Sequence, residues 1–133
     1  MAEGAGAAGL AALLEHPQYF KDTTVGLILC GGNIDSRMLS SVLMRNMVRE
    51  GQIITLSVTI PDKPGQLQSG SGICALAGAN VLAVEHNRFT LDLAASAARL
   101  EITIETRDHQ HAKNVVDKIR EAGFIMTTGD ATK

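Results

Sequence analysis

The chain has 133 residues, 45% hydrophobic and 20% charged, with a formal net charge of −2. This is the composition of a globular domain, not a disordered segment, and the length suits one domain or one domain with an appendage. The slightly acidic balance gives no electrostatic ground for holding a polyanion, so nucleic acid is not expected as a partner.

Two cysteines, Cys30 and Cys74, are too few for a disulfide framework, and a reducing, cytoplasmic setting is expected. No apolar run approaches the roughly 20 residues of a membrane span, so no membrane is expected. The opening Met-Ala-Glu-Gly-Ala-Gly lacks the basic start of a signal peptide.

Residues 5–15 read as a helix of small residues. Gly6 and Gly9 each cost about 1 kcal/mol relative to Ala there, which makes sense where another backbone or a cofactor packs closely. His16-Pro17 ends the helix. Thr24 to Cys30 is nearly continuously apolar and predicts a strand buried on both faces, as in a parallel sheet. Gly31-Gly32-Asn33 turns the chain. Residues 36–49 form a second helix with Met38, Leu39, Val42, Leu43 and Met47 on one face and Arg45 and Arg49 on the solvated side. Gly51 stops it.

Beyond Gly51 the period changes to two. Ile54, Leu56, Val58 and Ile60 alternate with Thr55, Ser57 and Thr59, the pattern of a strand with one buried face. Asp62-Lys63-Pro64-Gly65-Gln66-Leu67 follows, between this strand and a helix expected from Pro64 to about Ala77. Pro64 suits the first helical position, Gly65 leaves the backbone approachable, and the free N–H groups of a helix start attract a carboxylate or phosphate. An ordinary strand-to-helix turn reads the same way. Leu67, Ile73, Cys74 and Ala77 are the expected core residues of this helix, and Gly78 ends it.

Val81 to His86 is the next strand, residues 87–97 are a loop, and Leu100, Ile102 and Ile104 mark a third strand by alternation. Asp108 is an N-cap for a helix carrying Ala112, Val115, Val116 and Ile119 on one face; Gly123 closes it, and Phe124 to Thr128 is a last short strand. His86 and Asn87 end their strand and face the loop. His109 and His111 are two ligands at most, short of a zinc site, and are expected on a solvated helix start; no metal is expected. Residues 51–133 therefore read βαββαβ, the ferredoxin-like arrangement of an α+β domain, preceded by a helix-strand-helix segment over 1–50. An RNA-recognition domain shares this order, but it stacks bases on strand aromatics, and the third strand has none.

Two sets of motifs carry a resemblance. Glu3-Gly4-Ala5-Gly6-Ala7, then Leu29-Cys30-Gly31-Gly32-Asn33-Ile34-Asp35 and the following Leu-x-x-Val-Leu-x-Arg helix, look like the end of the catalytic domain of threonine dehydratases, which are fold type II pyridoxal-phosphate enzymes. Asp62-Lys63-Pro64-Gly65-x-Leu67 and Ala77-Gly78-Ala79-Asn80-Val81 look like an ACT domain, which follows that ending directly in one class of threonine dehydratase. The resemblance covers nearly the whole chain, and the order of the two sets makes it specific.

The resemblance implies a regulatory module that binds a small amino acid of the isoleucine, valine, threonine or serine class. Its ligand residues would be Asp62, Pro64, Gly65, Gln66, Leu67 and Asn80, with Asn80 acting across a domain interface. It also implies that Cys30 faces the pyridine nitrogen of pyridoxal phosphate in a complete enzyme, with Glu3 and Gly31 beside the cofactor. No cofactor is expected in this chain by itself, and no catalytic residue. A pyridoxal-phosphate enzyme needs a Schiff-base lysine and a glycine-rich phosphate cup, and none of Lys21, Lys63, Lys113, Lys118 and Lys133 stands in a matching context. A homodimer or larger homo-oligomer is expected, because the apolar stripes of the first fifty residues need cover. One departure from the ACT pattern stands out. Gly70 replaces a branched apolar residue, and the expected result is a cavity and a softened helix. A non-binding assembly or remnant domain, or a subunit of an active dehydratase, are the alternative readings.

Overall fold

The structure is a computed structural model that describes residues 2–88, 93–94 and 96–126. Two compact units divide it, one up to Met44 and one from Arg45 onward, with the division inside a helix.

The second unit is a four-stranded sheet with two helices on one face. Its elements are β1 (Ile53–Pro61), α3 (Gln66–Leu76), β2 (Asn80–Asn87), β3 (Ala97–Glu105), α4 (His109–Glu121) and β4 (Ile125–Met126). The strand order is β2-β3-β1-β4, and every neighbouring pair is antiparallel. This is the βαββαβ ferredoxin-like arrangement expected from the alternation of periods. The expected residues 127 and 128 of the last strand, and 89–92 and 95 of the expected loop, lie outside the described residues.

The core forms where the period-two residues of the central strands meet the helices. Leu56, Val58 and Ile60 of β1 and Leu100, Ile102 and Ile104 of β3 are buried together with Cys74, Val115 and Ile119. The other sheet face is polar: the Thr55 and Thr103 hydroxyls lie 3.0 Å apart across β1 and β3, beside Ser57 and Glu101. Asp108 caps α4 as its sequence predicts, its carboxylate accepting the His111 N–H at 2.8 Å. Both helices end as their glycines predict. The Ala79 and Phe124 N–H groups reach back to Cys74 and Ile119 O, closing Schellman motifs around Gly78 and Gly123, both at positive φ.

Three expectations are corrected here, and one position, Gly70, gains a defined environment. The helix after the Asp62 loop begins at Gln66, not Pro64, because Gly65 takes up a left-handed N-cap conformation at φ +89°. Leu67, expected in the core, is 44% exposed, and the buried face of α3 runs through Gly70 and Cys74 instead. At Gly70 a Cβ would lie 3.5 Å from both Leu100 Cδ2 and Ile102 Cδ1, ordinary van der Waals contact, so the site has room for a methyl group. His111 is not solvated; it is 4% exposed and bonded on both ring nitrogens.

The first unit holds α1 (Gly4–Glu15), a 3-10 turn (Pro17–Tyr19) and the start of α2 (Ser36–Arg49). Asp35 caps α2, accepting the Arg37 and Met38 N–H groups at 2.9 and 3.1 Å. The expected strand at Thr24–Cys30 does not form. The segment has no regular secondary structure, and Ile28 is 87% exposed. A strand exists only through a neighbour's ladder, and no described strand pairs with this segment. The apolar face of α2 is likewise open at Met38, Val42 and Leu43, while Leu39 and Met47 are half-buried.

Candidate functional site

The Asp62 loop occupies one end of the sheet. Pro61, the last residue of β1, pairs with Ala97, and the Asp62 N–H donates to Ser96 O at 2.9 Å, so the loop is tied to the start of β3. Lys63 N–H turns back to Pro61 O at 2.8 Å. Gly65 then opens α3 with no side chain capping it, and a Cβ at Gly65 would meet nothing within 4 Å. The first N–H groups of α3 thus face open space beside a backbone that a ligand can approach closely, with the positive end of the helix dipole behind them. The hydroxyls of Ser69 and Ser71 are turned back onto the Gly65 and Leu67 carbonyls, at 3.1 and 2.9 Å.

An open groove of about 590 Å³ runs from this helix start along α3, lined by Pro64, Gly65, Gln66, Ser69, Gly72 and Phe124 among others. On the other side of the loop, Asp62 Oδ1 takes an ion pair from Arg88 Nε at 3.3 Å, and His86 Nε2 stands 4.0 Å away. His86 thus joins the Asp62 loop, a neighbour its place in the sequence did not reveal.

Asp62, Pro64, Gly65, Gln66 and Leu67 are contiguous at this end. Asn80 is not among them. It pairs with Glu105 at the opposite end of the sheet, and its Nδ2 donates to Glu105 Oε2 at 3.3 Å. An eight-residue strand at about 3.3 Å per residue puts these ends on the order of 25 Å apart. One copy of the chain therefore does not assemble both halves of the expected site.

The first unit brings Glu3, Cys30 and Gly31 together from distant points of the sequence. A Cβ at Gly6 would fall 1.9 Å from Cys30 O, so this glycine is what allows α1 to lie on the backbone at Cys30. One turn away, the Glu3 carboxylate covers Gly31, where a Cβ would come within 2.2 Å of Oε1. The Cys30 thiol is free and exposed. The only lysine of this unit, Lys21, is exposed after the 3-10 turn, and the glycines here support packing and a turn. The Glu3 carboxylate and the Cys30 thiol are groups of the kind that hydrogen-bond the edge of a pyridine ring. Cys74, by contrast, is enclosed, and burial pushes its thiol pKa up. Among the described residues no cluster of three or more His, Cys, Asp or Glu is placed to hold a metal ion, and no helix is long and apolar enough to cross a membrane.

The fold and loop define a ferredoxin-like α+β module with an uncapped helix start at one end of its sheet, joined to a smaller glycine-packed unit. No family model matches the chain. It is 36% identical over 124 residues to the L-threonine ammonia-lyase of Thermotoga maritima, and 32% identical over 126 residues to that of Geobacter sulfurreducens. The matches cover 93% and 95% of the chain but 31% of each relative. The chain is thus related, over nearly its whole length, to about one third of a threonine ammonia-lyase, as its two motif sets led us to expect.

Proposed function

We propose that this chain is an ACT-like regulatory module of a threonine ammonia-lyase and is not catalytic by itself. The observation that carries the reading is the uncapped start of α3 at Gly65, open to solvent beside Asp62. A free amino acid has a carboxylate for the helix N–H groups and an ammonium for the Asp62 carboxylate, which it shares with Arg88. The adjoining groove takes its side chain, which favours a small amino acid such as isoleucine, valine, threonine or serine. Asn80, at the far end of the sheet, serves this ligand from a second copy across a domain interface. Glu3, Cys30 and Gly31 act on pyridoxal phosphate only in a complete enzyme, where the lysine and phosphate cup come from elsewhere. The exposed apolar residues of the first unit and of α2 then pack against a second copy of the chain in a homo-oligomer. A cytoplasmic location suits a free, exposed Cys30.

Calorimetry on the full chain with each of the four amino acids at millimolar concentration tests the reading. Binding of at least one is expected, and it is expected to be lost in Gly65→Val, whose side chain blocks the loop. No heat from any of the four counts against an effector site. A stoichiometric aldimine absorbance with added pyridoxal phosphate, abolished by changing one lysine, contradicts the non-catalytic assignment.

A further inference from the structure

The His-x-His pair at the head of α4 has no role in the site above, yet both rings are bonded to the backbone of other elements. His111 Nε2 lies 2.8 Å from Ala77 O, the C-terminal end of α3. Its Nδ1 lies 3.2 Å from the Arg107 backbone nitrogen. A carbonyl can only accept and an amide N–H can only donate. One state of the ring satisfies both partners: neutral, with the proton on Nε2. The ring is buried, so losing either bond strands a polar group away from water.

The chain of bonds continues from Arg107. The neighbouring Thr106 donates its hydroxyl to Gly51 O and its N–H to Gln52 O, the latter at 2.8 Å. Gly51 and Gln52 close the end of α2, with the Gln52 N–H reaching Met47 O at 2.8 Å and the Gly51 N–H reaching Val48 O at 3.1 Å. His109 acts on the same place. Its Nε2–H donates to Arg49 O at 2.9 Å, one of the last carbonyls of α2, which lack partners within the helix. Its ring lies flush on Gly51, where a Cβ would fall 2.5 Å from Nδ1.

We propose that His109 and His111 form a coupler that ties the C-terminal end of α3 to the last turn of α2. His111 grips α3 and passes the restraint through Arg107 and Thr106 to Gly51; His109 holds the Arg49 carbonyl from the same helix turn. Any displacement along α3 is then felt at the helix by which the chain enters this unit. The coupler stands whether or not the Asp62 loop takes a ligand. Only its use to relay an effector signal rests on the reading above, because the loop sits at the other end of α3.

The two functions of the His111 ring separate by substitution. His111→Gln keeps a donor near the Nε2 position and loses the acceptor for Arg107. His111→Asn keeps an acceptor near Nδ1 and loses the reach to Ala77. Hydrogen exchange of the full chain, without ligand, reads the result at the Glu50, Gly51 and Gln52 amides. Both variants should speed exchange there by about fivefold, the factor equivalent to one net hydrogen bond of about 1 kcal/mol. Acceleration confined to the last turn of α3 or to Arg107 overturns the coupler and leaves a local strut. Should either variant fail to fold, nitrogen NMR of the unaltered chain tests the ring state on which the coupler depends. His111 is expected neutral with its proton on Nε2, and a proton on Nδ1 overturns the proposal, since Arg107 would then have no acceptor.

Discussion

Gly70 is the position where tertiary packing makes the sharpest quantitative demand. Its glycine costs α3 about 1 kcal/mol of helix propensity. A Cβ placed there meets Leu100 Cδ2 and Ile102 Cδ1 at 3.5 Å, ordinary van der Waals contact. Gly70→Ala therefore recovers the propensity and buries one methyl group, itself worth about 0.8 kcal/mol. The expected gain is about 1–2 kcal/mol. A larger side chain has no such room. Its γ atoms would enter the space held by the two core side chains, and overpacking typically costs 1–3 kcal/mol. Gly70→Val is thus expected to lose stability. Gly72→Ala is the reference substitution, because a Cβ there meets nothing within 4 Å and only the propensity gain of about 1 kcal/mol applies. Urea titration followed by circular dichroism gives the midpoints, and about 4–8 °C per kcal/mol is the matching thermal scale for a domain of this size. A valine variant as stable as the alanine variant would falsify this packing limit and point to the larger space that the glycine suggests in sequence.

Gly51→Ala should destabilise by more than the about 1–2 kcal/mol of a left-handed non-glycine residue, because φ is +67° and the new methyl would collide with the His109 ring. A loss below about 0.5 kcal/mol by urea titration contradicts that contact. In the native protein, thiol reagents should label Cys30 and spare Cys74, with both labelled in denaturant; two labels on the native chain contradict the burial of Cys74. The raised Cys74 pKa also has a sign. The unfolded thiol ionises first, so this contribution is intact below the ordinary value of 9.0 and is lost as pH rises above it. Unfolding midpoints that fall above that pH in the unaltered chain, and fall less in Cys74→Ala, are the expected result.

Much of the second unit was legible because its signals are local. Alternation at Leu56, Val58 and Ile60 and at Leu100, Ile102 and Ile104 marks two strands with one buried face each, and both are central strands of the sheet. Asp108 capped its helix, and Gly78 and Gly123 ended theirs, because caps depend on a few neighbouring residues. The exposed apolar face of α2 was also visible as a stripe without a partner. The loop from Asp62 to Leu67 was found as a unit because its members are adjacent in the chain.

What sequence order alone leaves open is how far apart non-local residues end. Asn80 follows the Asp62 loop by fewer than twenty residues and yet lies at the other end of the sheet, because α3 carries the chain along the sheet before β2 begins. Thr24–Cys30 has strand composition, but pairing needs a neighbour, and composition does not supply one. His111 looks like any polar residue at a helix start; its Nδ1 finds a local partner in the Arg107 N–H, but only the packing of α3 against α4 gives Nε2 the Ala77 carbonyl. Gly6 and Gly70 show the division most plainly. The sequence predicts a close approach at Gly6 and a missing side chain at Gly70, and only the tertiary structure names the neighbours: the backbone of Cys30 in one case, the side chains of Leu100 and Ile102 in the other. Local propensities and periods are properties of neighbouring residues, while contact distances are set by the whole chain at once.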